Sequence, residues 1–273
     1  MCTLFCALGI HPVYPFIFAG NRDEFLKRPT EPASWWVDQP GVFAGKDLEG
    51  GGTWLGISAS GKFGTLTNHR DLKNIIAQAP TRGELVANFL TGKTTPENYL
   101  SKCIPQMRLY NGFNLLVGQL RTLSGLPEIW YLHNVTATSD TFRLPLRLET
   151  GVYGLSNGLL NTPWPKVKAG LAQFSTLIQK TKLDPNDFFE MLSDETVYPD
   201  EQLPNTGVSL AWERTLSALC IHTPNYGTRI NSVIFLKNNG FLTFWERTNN
   251  PNVPSFNLKK VQFFLGSPDP LYL

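Results

Sequence analysis

The second residue of the chain is a cysteine, Cys2. A small side chain at position 2 normally permits removal of Met1, which leaves a thiol and a free α-amine on one residue. The reference pKa is about 7.7–8.0 for the amine and about 8.5 for the thiol. The amine is therefore matched to general-base work near neutral pH, beside an intrinsically strong nucleophile. One residue would supply both nucleophile and base, which is the chemistry of N-terminal-nucleophile catalysis. Cys2 reads equally as a small hydrophobe opening a strand, and a lone cysteine does not decide between the two.

The other chemistry-bearing groups fall at strand ends. Asn21-Arg22-Asp23-Glu24 follows an apolar run, Phe16–Gly20. If that run pairs antiparallel with Cys2–Leu8, the tetrad lies near Cys2. A carboxylate there can hold an α-ammonium, and an Arg can stabilise a thiolate or a substrate carboxylate; an ordinary solvated turn is the competing reading. Asn68 and Asn157 each end an expected strand, where a side-chain amide can donate to a developing oxyanion or begin an Asx-turn. Arg229 opens another strand, placed to serve an anionic substrate or the nucleophile, or to pair with a surface acid. The run Gly50-Gly51-Gly52-Thr53-Trp54 implies close approach by a ligand or by another chain segment. It is not a phosphate loop, because no Gly-Lys-Ser/Thr follows. His11, His69, His133 and His222 show no metal-ligand spacing. Cys220 and His222 share a face of an expected strand, as metal or haem-iron donors or as a core cysteine beside a strand histidine, and no metal site is assigned.

The elements that must position these groups are mostly short strands. Thr53–Ser58 with Lys62–Thr67, Phe113–Leu120 with Glu128–Leu132, and Ser232–Leu236 with Phe241–Trp245 read as hairpins. Gly151–Ser156, Ser217–His222 and Val261–Leu265 add three further strands. Helical spacing appears over Arg82–Leu90, Pro96–Lys102, Trp164–Lys180 and from Asp184-Pro185 to about Leu192. Hairpins, a helical middle and hairpins again, without βα alternation, argue for an α+β fold with antiparallel sheet.

Composition narrows the setting. The chain is 42% hydrophobic and 17% charged, which excludes a disordered chain. With 24 Lys and Arg against 22 Asp and Glu, the net charge of +2 leaves no electrostatic footprint for nucleic acid. No apolar run reaches the ~18 residues of a membrane span. The four cysteines form no C-x-x-C, and no basic leader opens the chain, so the expected setting is cytoplasmic and reducing. Asn134-Val135-Thr136 is a sequon whose use is not expected without a signal. Adjacent Trp35-Trp36 suggests an exposed apolar ligand surface, or one core tryptophan and one that caps it.

Together, Met1-Cys2, the Asn-Arg-Asp-Glu tetrad and Gly51-Gly52-Thr53-Trp54-Leu55-Gly56-Ile57 resemble the NRDE family, that of the transport and Golgi organisation protein 2 of animals. Further matches are Thr67-Asn68, Arg82-Gly83-Glu84-Leu85, Tyr110–Leu115, Tyr153–Asn157, Thr162-Pro163-Trp164, Tyr226–Arg229 and Phe244–Arg247. The resemblance runs from Met1 to about Arg247 and implies a single domain over residues 1–273. It implies a four-layer αββα sandwich of antiparallel sheets like that of N-terminal-nucleophile hydrolases, whose cysteine group includes penicillin V acylase and bile salt hydrolase. It further implies Cys2 as nucleophile, Asp23 as anchor of its amine, Asn68 and Asn157 as oxyanion or positioning donors, and Arg229 as electrostatic support. Asn21, Arg22, Glu24, Gly52 and Trp54 are expected to contact a ligand. The implied substrate is a small non-peptide amide, with no cofactor required. The alternative implied by the family is a non-catalytic carrier of haem or acyl-CoA.

Overall fold

The computed structural model describes residues 2–121, 125–135, 144–249 and 257–266. Its strands are β1 (Cys2–Leu8), β2 (Phe16–Phe25), β3 (Thr30–Trp35), β4 (Val42–Asp47), β5 (Leu55–Ser58), β6 (Lys62–Asn68), β7 (Phe113–Gln119), β8 (Glu128–His133), β9 (Leu146–Arg147), β10 (Gly151–Leu155), β11 (Tyr226–Leu236), β12 (Phe241–Thr248) and β13 (Asn257–Phe264). Its α-helices are α1 (Gly83–Thr91), α2 (Pro96–Cys103), α3 (Pro165–Leu177), α4 (Pro185–Met191) and α5 (Leu210–Ser217).

The strands form two antiparallel sheets, one ordered β10-β1-β2-β11-β12-β13 and the other β3-β4-β5-β6-β7-β8-β9. Alternation along β1 and β2 explains the layering. Leu4, Cys6, Leu8, Phe16 and Phe18 point inward and meet Phe43, Trp54, Ile57 and Phe63 of the other sheet. Phe5, Ala7, Ile17 and Ala19 point outward and are covered by α3 and α4 through Phe174, Phe188 and Phe189. Helix α1 covers the far face of the second sheet with Leu85, Val86, Phe89 and Leu90, and α2 adds Leu100. The order is therefore helices, sheet, sheet, helices, the expected αββα sandwich. Gly170 lets α3 lie flat on β1, because a Cβ there would stand 2.2 Å from the Phe5 ring.

Several elements differ from the sequence reading. The tetrad is not a turn after β2 but part of it, since β2 runs on to Phe25 between β1 and β11. Ser217–His222 is not a strand: Ser217 closes α5, and only an isolated bridge joins His222 to Gly227. Strands β3 and β4 were not anticipated. The tryptophan pair lies across β3 and its end, with Trp35 packed on Phe43 and Phe263 between the sheets and Trp36 buried beneath α1. Neither forms an exposed ligand surface. The Asn134 amide donates to the carbonyls of Met107, Tyr110 and Asn111, so its nitrogen is engaged; Thr136 of that sequon lies outside the described residues. No helix among the described residues is long and apolar enough to cross a membrane.

One buried carboxylate ties the sheets. Glu246 of β12 is 1% exposed and accepts from the Ala33 N–H of β3 at 2.6 Å. Burial raises its pKa to about 7, against the Ala33 bond and the charges of Lys259 and Arg22. A raised folded value means that the unfolded chain ionises first, so stability falls from about pH 4.5 to about pH 7 and then levels off. The full difference corresponds to roughly 3 kcal/mol. Glu246→Gln keeps the acceptor and removes the charge. Its melting temperature should match the parent near pH 4.5 and exceed it at pH 8; equal midpoints at both pH values would refute the assignment.

Candidate active site

An open cleft with about 930 Å³ of empty space, part of it open to solvent, sits where β1 begins. Cys2, Arg22, Asp23 and Glu24 line one wall, Trp54, Leu66 and Asn68 the other, and Pro80–Gly83 before α1 close the side. The pairing of β1 with β2 places Cys2 opposite Arg22. Both side chains face the second sheet, because they continue the inward-pointing series Leu4, Cys6 and Phe18.

Arg22 is 4% exposed. Its guanidinium lies 4.3 Å from the Trp54 ring centroid and donates to Asp47 at 3.2 Å and to Thr30 at 3.3 Å. Asp47 also accepts from Arg28 Nε at 2.7 Å. Burial works against the Asp47 carboxylate, yet the Arg28 bond, the Gly50 N–H and the two arginine charges hold it below its usual range. Glu24 stands 3.9 Å from both Arg22 and Arg28. The wall is thus a lattice of alternating charge.

Cys2 is half-buried, and its carbonyl accepts from Ser156 Oγ at 3.2 Å. Burial pushes the thiol pKa up; the amino terminus, Arg22 and the Asp23 N–H oppose this, while the Asp23 carboxylate adds to it. Cys2 therefore rests as a thiol.

Asp23 points the other way, under the helices. It is 1% exposed and accepts from Thr228 Oγ1 at 2.6 Å. Burial raises its pKa, and Lys166, the amino terminus, Thr228 and Arg70 counter the rise. Lys166 lies in the first turn of α3, 2% exposed, where the helix dipole disfavours a cation. Burial pulls its pKa down to about 8 despite the field of Asp23. Arg70 pairs with Glu213 at 2.9 Å, both buried.

The structure brings Cys2, Arg22, Glu24, Trp54 and Asn68 to one cleft, whose wall Asp23 joins with its carboxylate turned to the far side of β2. The Asn68 side chain makes no hydrogen bond among the described residues and is available to a ligand. Asn157, Asn21, Gly52 and Arg229 do not line the cleft. The Asn157 amide donates to the Asn68 carbonyl at 2.9 Å, and the Asn157 carbonyl accepts from the Arg70 N–H at 2.9 Å. It joins the two sheets behind Asn68. Asn21 donates to the carbonyls of Leu192 and Leu219 and accepts from Asn231 at 2.6 Å, beneath the outer helices. Gly52 has φ +82°, and a Cβ there would meet the Gly83 carbonyl at 2.5 Å; the close partner is a chain segment, not a ligand. Arg229 donates to the Phe25 and Arg28 carbonyls and to Thr30, on the rim. The arginine beside Cys2 is Arg22.

Sequence reasoning missed Lys166, Arg70, Glu213, Thr228 and Arg82 as site residues. Arg82 lines the cleft and donates to the Gly112 carbonyl at 3.0 Å. Burial pushes its pKa down, opposed by Glu24 and Cys2, so it faces both across the cleft. The one signal available was the Arg82-Gly83 pair opening a helix.

A family model described as Transport and Golgi organisation 2 matches residues 1–251. The chain is 37% identical over 263 residues to the transport and Golgi organization protein 2 homolog of Homo sapiens, covering 91% of this chain and 93% of that protein. It is 35% identical to the Mus musculus homolog, with the same coverage. Among solved structures it is similar to a Caenorhabditis elegans N-acylethanolamine-hydrolyzing acid amidase ortholog. That likeness has a TM-score of 0.48 and 9% identity, over 85% of this chain and 92% of the other.

The raised thiol pKa has a measurable consequence. Alkylation of Cys2 by iodoacetamide, followed by peptide mass spectrometry, should still be rising steeply with pH at pH 9. Arg22→Met removes a charge that favours the thiolate and should slow Cys2 alkylation at pH 8 several-fold, leaving Cys103 unchanged. A Cys2 rate already level at pH 7.5 would contradict this electrostatic account.

Proposed function

The chain belongs to the Transport and Golgi organisation 2 family, and we propose that this protein is a cysteine amidohydrolase acting on a small non-peptide amide, with Cys2 as nucleophile. The observation that carries the reading is the placement of Cys2. Among the described residues it is the only cysteine on the cleft wall, set opposite Arg22 and across from the available amide of Asn68.

The reaction uses this chain's own groups. Removal of Met1 frees the Cys2 amine near Asp23, whose carboxylate would hold the ammonium form. The neutral amine takes the thiol proton and the sulfur attacks the amide carbonyl, while the Asn68 amide donates to the oxyanion. The tetrahedral adduct collapses to a thioester as the ammonium returns its proton to the leaving amine. Water, deprotonated by the same amine, then releases the acid and restores the thiol. Arg22 favours the thiolate throughout, and Asn157 positions Asn68 through its carbonyl.

A second reading is a carrier that binds haem or acyl-CoA without turnover. Arg82 favours it: the guanidinium faces the cleft with one hydrogen bond to Gly112, leaving donors for a carboxylate or phosphate.

Intact mass of the protein purified from its own host, with a panel of N-acyl amides and haem and acyl-CoA titrations, separates the readings. Hydrolysis should require loss of Met1 and accumulate an acyl adduct on Cys2. Cys2→Ala should lower turnover at least ~10³-fold. Retained Met1, or undiminished turnover by Cys2→Ala, would overturn the hydrolase reading. Saturable haem or acyl-CoA binding with no turnover would establish the carrier.

A further inference from the structure

We propose that Glu195, Cys220 and His222 form a binding site for a thiophilic divalent cation of the zinc class, distinct from the cleft. One donor atom from each of the three residues lies within 4.8 Å of the other two. The Cys220 sulfur is 3.6 Å from His222 Nε2, and His222 Nδ1 is 3.2 Å from Glu195 Oε1. A tetrahedral zinc site with ordinary Zn–S and Zn–N bonds sets its sulfur and nitrogen about 3.6 Å apart. The thiol and the imidazole are already at that spacing. Glu195 now faces the other ring nitrogen, Nδ1; it and His222 are each 60% exposed, so Glu195 can turn its carboxylate to an ion held between the sulfur and Nε2. Cys220 is 5% exposed and fixed, with its N–H donating to the Asp194 carbonyl at 2.8 Å. One buried anchor and two exposed outer ligands leave the fourth position to water. Thiolate, imidazole and carboxylate together are a borderline-soft set, which favours zinc over magnesium or calcium.

None of these residues lines the cleft, and the proposed reaction uses none of them. Their segment nevertheless supports the tetrad from behind. The Leu219 carbonyl accepts from Asn21 at 3.0 Å, and the Ile221 N–H donates to Thr228 Oγ1 at 2.9 Å. Thr228 in turn donates to Asp23. An ion joining Glu195 to Cys220 and His222 would fasten the irregular stretch after α5 to the turn at Asp194, and so fix two supports of β2. Binding exchanges the Cys220 thiol proton for the metal: Cys–SH and M²⁺ give Cys–S–M⁺ and H⁺, with no change of oxidation state.

Cobalt titration of the full chain tests the site, because cobalt replaces zinc and reports a thiolate ligand by a near-ultraviolet charge-transfer band. A Cys2→Ala background removes the cleft thiol. One equivalent of Co²⁺ should produce the band, and Zn²⁺ should displace it. Cys220→Ser should abolish it. His222→Ala and Glu195→Ala change exposed residues and leave the fold intact; each should weaken binding at least tenfold. Zinc should also raise the melting temperature of the Cys2→Ala protein, and not of its His222→Ala derivative. No charge-transfer band at millimolar Co²⁺, or a band indifferent to Cys220→Ser and His222→Ala, would overturn the proposal.

Discussion

Ionic groups buried back to back in β2 set the terms for everything around the cleft. Arg22 and Asp23 are 4% and 1% exposed and point to opposite faces of a strand flanked on both sides. An isolated buried charge costs several kcal/mol, so each must be given partners. For Arg22 the second sheet supplies Asp47, Thr30 and the Trp54 ring. For Asp23 the partners are Thr228 of the neighbouring strand β11, Lys166 of α3 and Arg70, which follows β6. The partners come from the second sheet on one side and from β11, α3 and the end of β6 on the other, so satisfying the strand also ties the layers around it.

The same demand explains the polar residues between the sheets. Thr67 Oγ1 donates to the Ser156 carbonyl at 2.6 Å, and Asn114 Nδ2 donates to the Gly158 carbonyl at 2.8 Å. With Asn157 they bind the end of β6 to the residues following β10. Apolar packing alone would let the two sheets slide. These directed bonds hold Asn68 across from Cys2, and they are what turns two packed sheets into a cleft with fixed walls.

Much of this was legible. Alternation and turn residues located β1 and the hairpins β5–β6, β7–β8 and β11–β12, because local chemistry determines those elements. Thr95 and Asp184 cap α2 and α4 with side-chain bonds, and both helices carry proline at their starts. Cys2, Asn68 and the Arg22 and Glu24 of the tetrad were legible as groups brought to one place. The continuation of β2 through the tetrad was not. Charged residues read as solvated, and only the pairing of β11 on the far side of β2 makes them interior. The stretch Ser217–His222 resembled a strand because burial, rather than ladder pairing, selects its apolar residues. Lys166, Arg70 and Glu213 were invisible as site residues for a different reason. Their partners lie in segments scattered between Asp23 and Thr228, and no periodicity records a long-range ion pair.

The placement of Lys166 bears on which base could serve Cys2. With a pKa of about 8, Lys166 is the side chain whose titration suits a general base. Yet it approaches β2 from the helix side, with its Nζ 3.5 Å from the Ala218 carbonyl, whereas the Cys2 thiol faces the other sheet. The strand itself stands between them, so Lys166 acts on the site through its field, by offsetting the charge of Asp23. On the cleft side the cations are arginines, which do not release protons near neutrality. Asp23 turns its carboxylate away, and the remaining carboxylates of the wall, Glu24 and Asp47, face arginine charge. On the proposed reading, removal of Met1 would make the Cys2 nitrogen an amine at the strand end, adjacent to the thiol. On that reading, a thiol held in its neutral form, with arginines on its own side and a buried acid behind it, would be activated by the amine of its own residue.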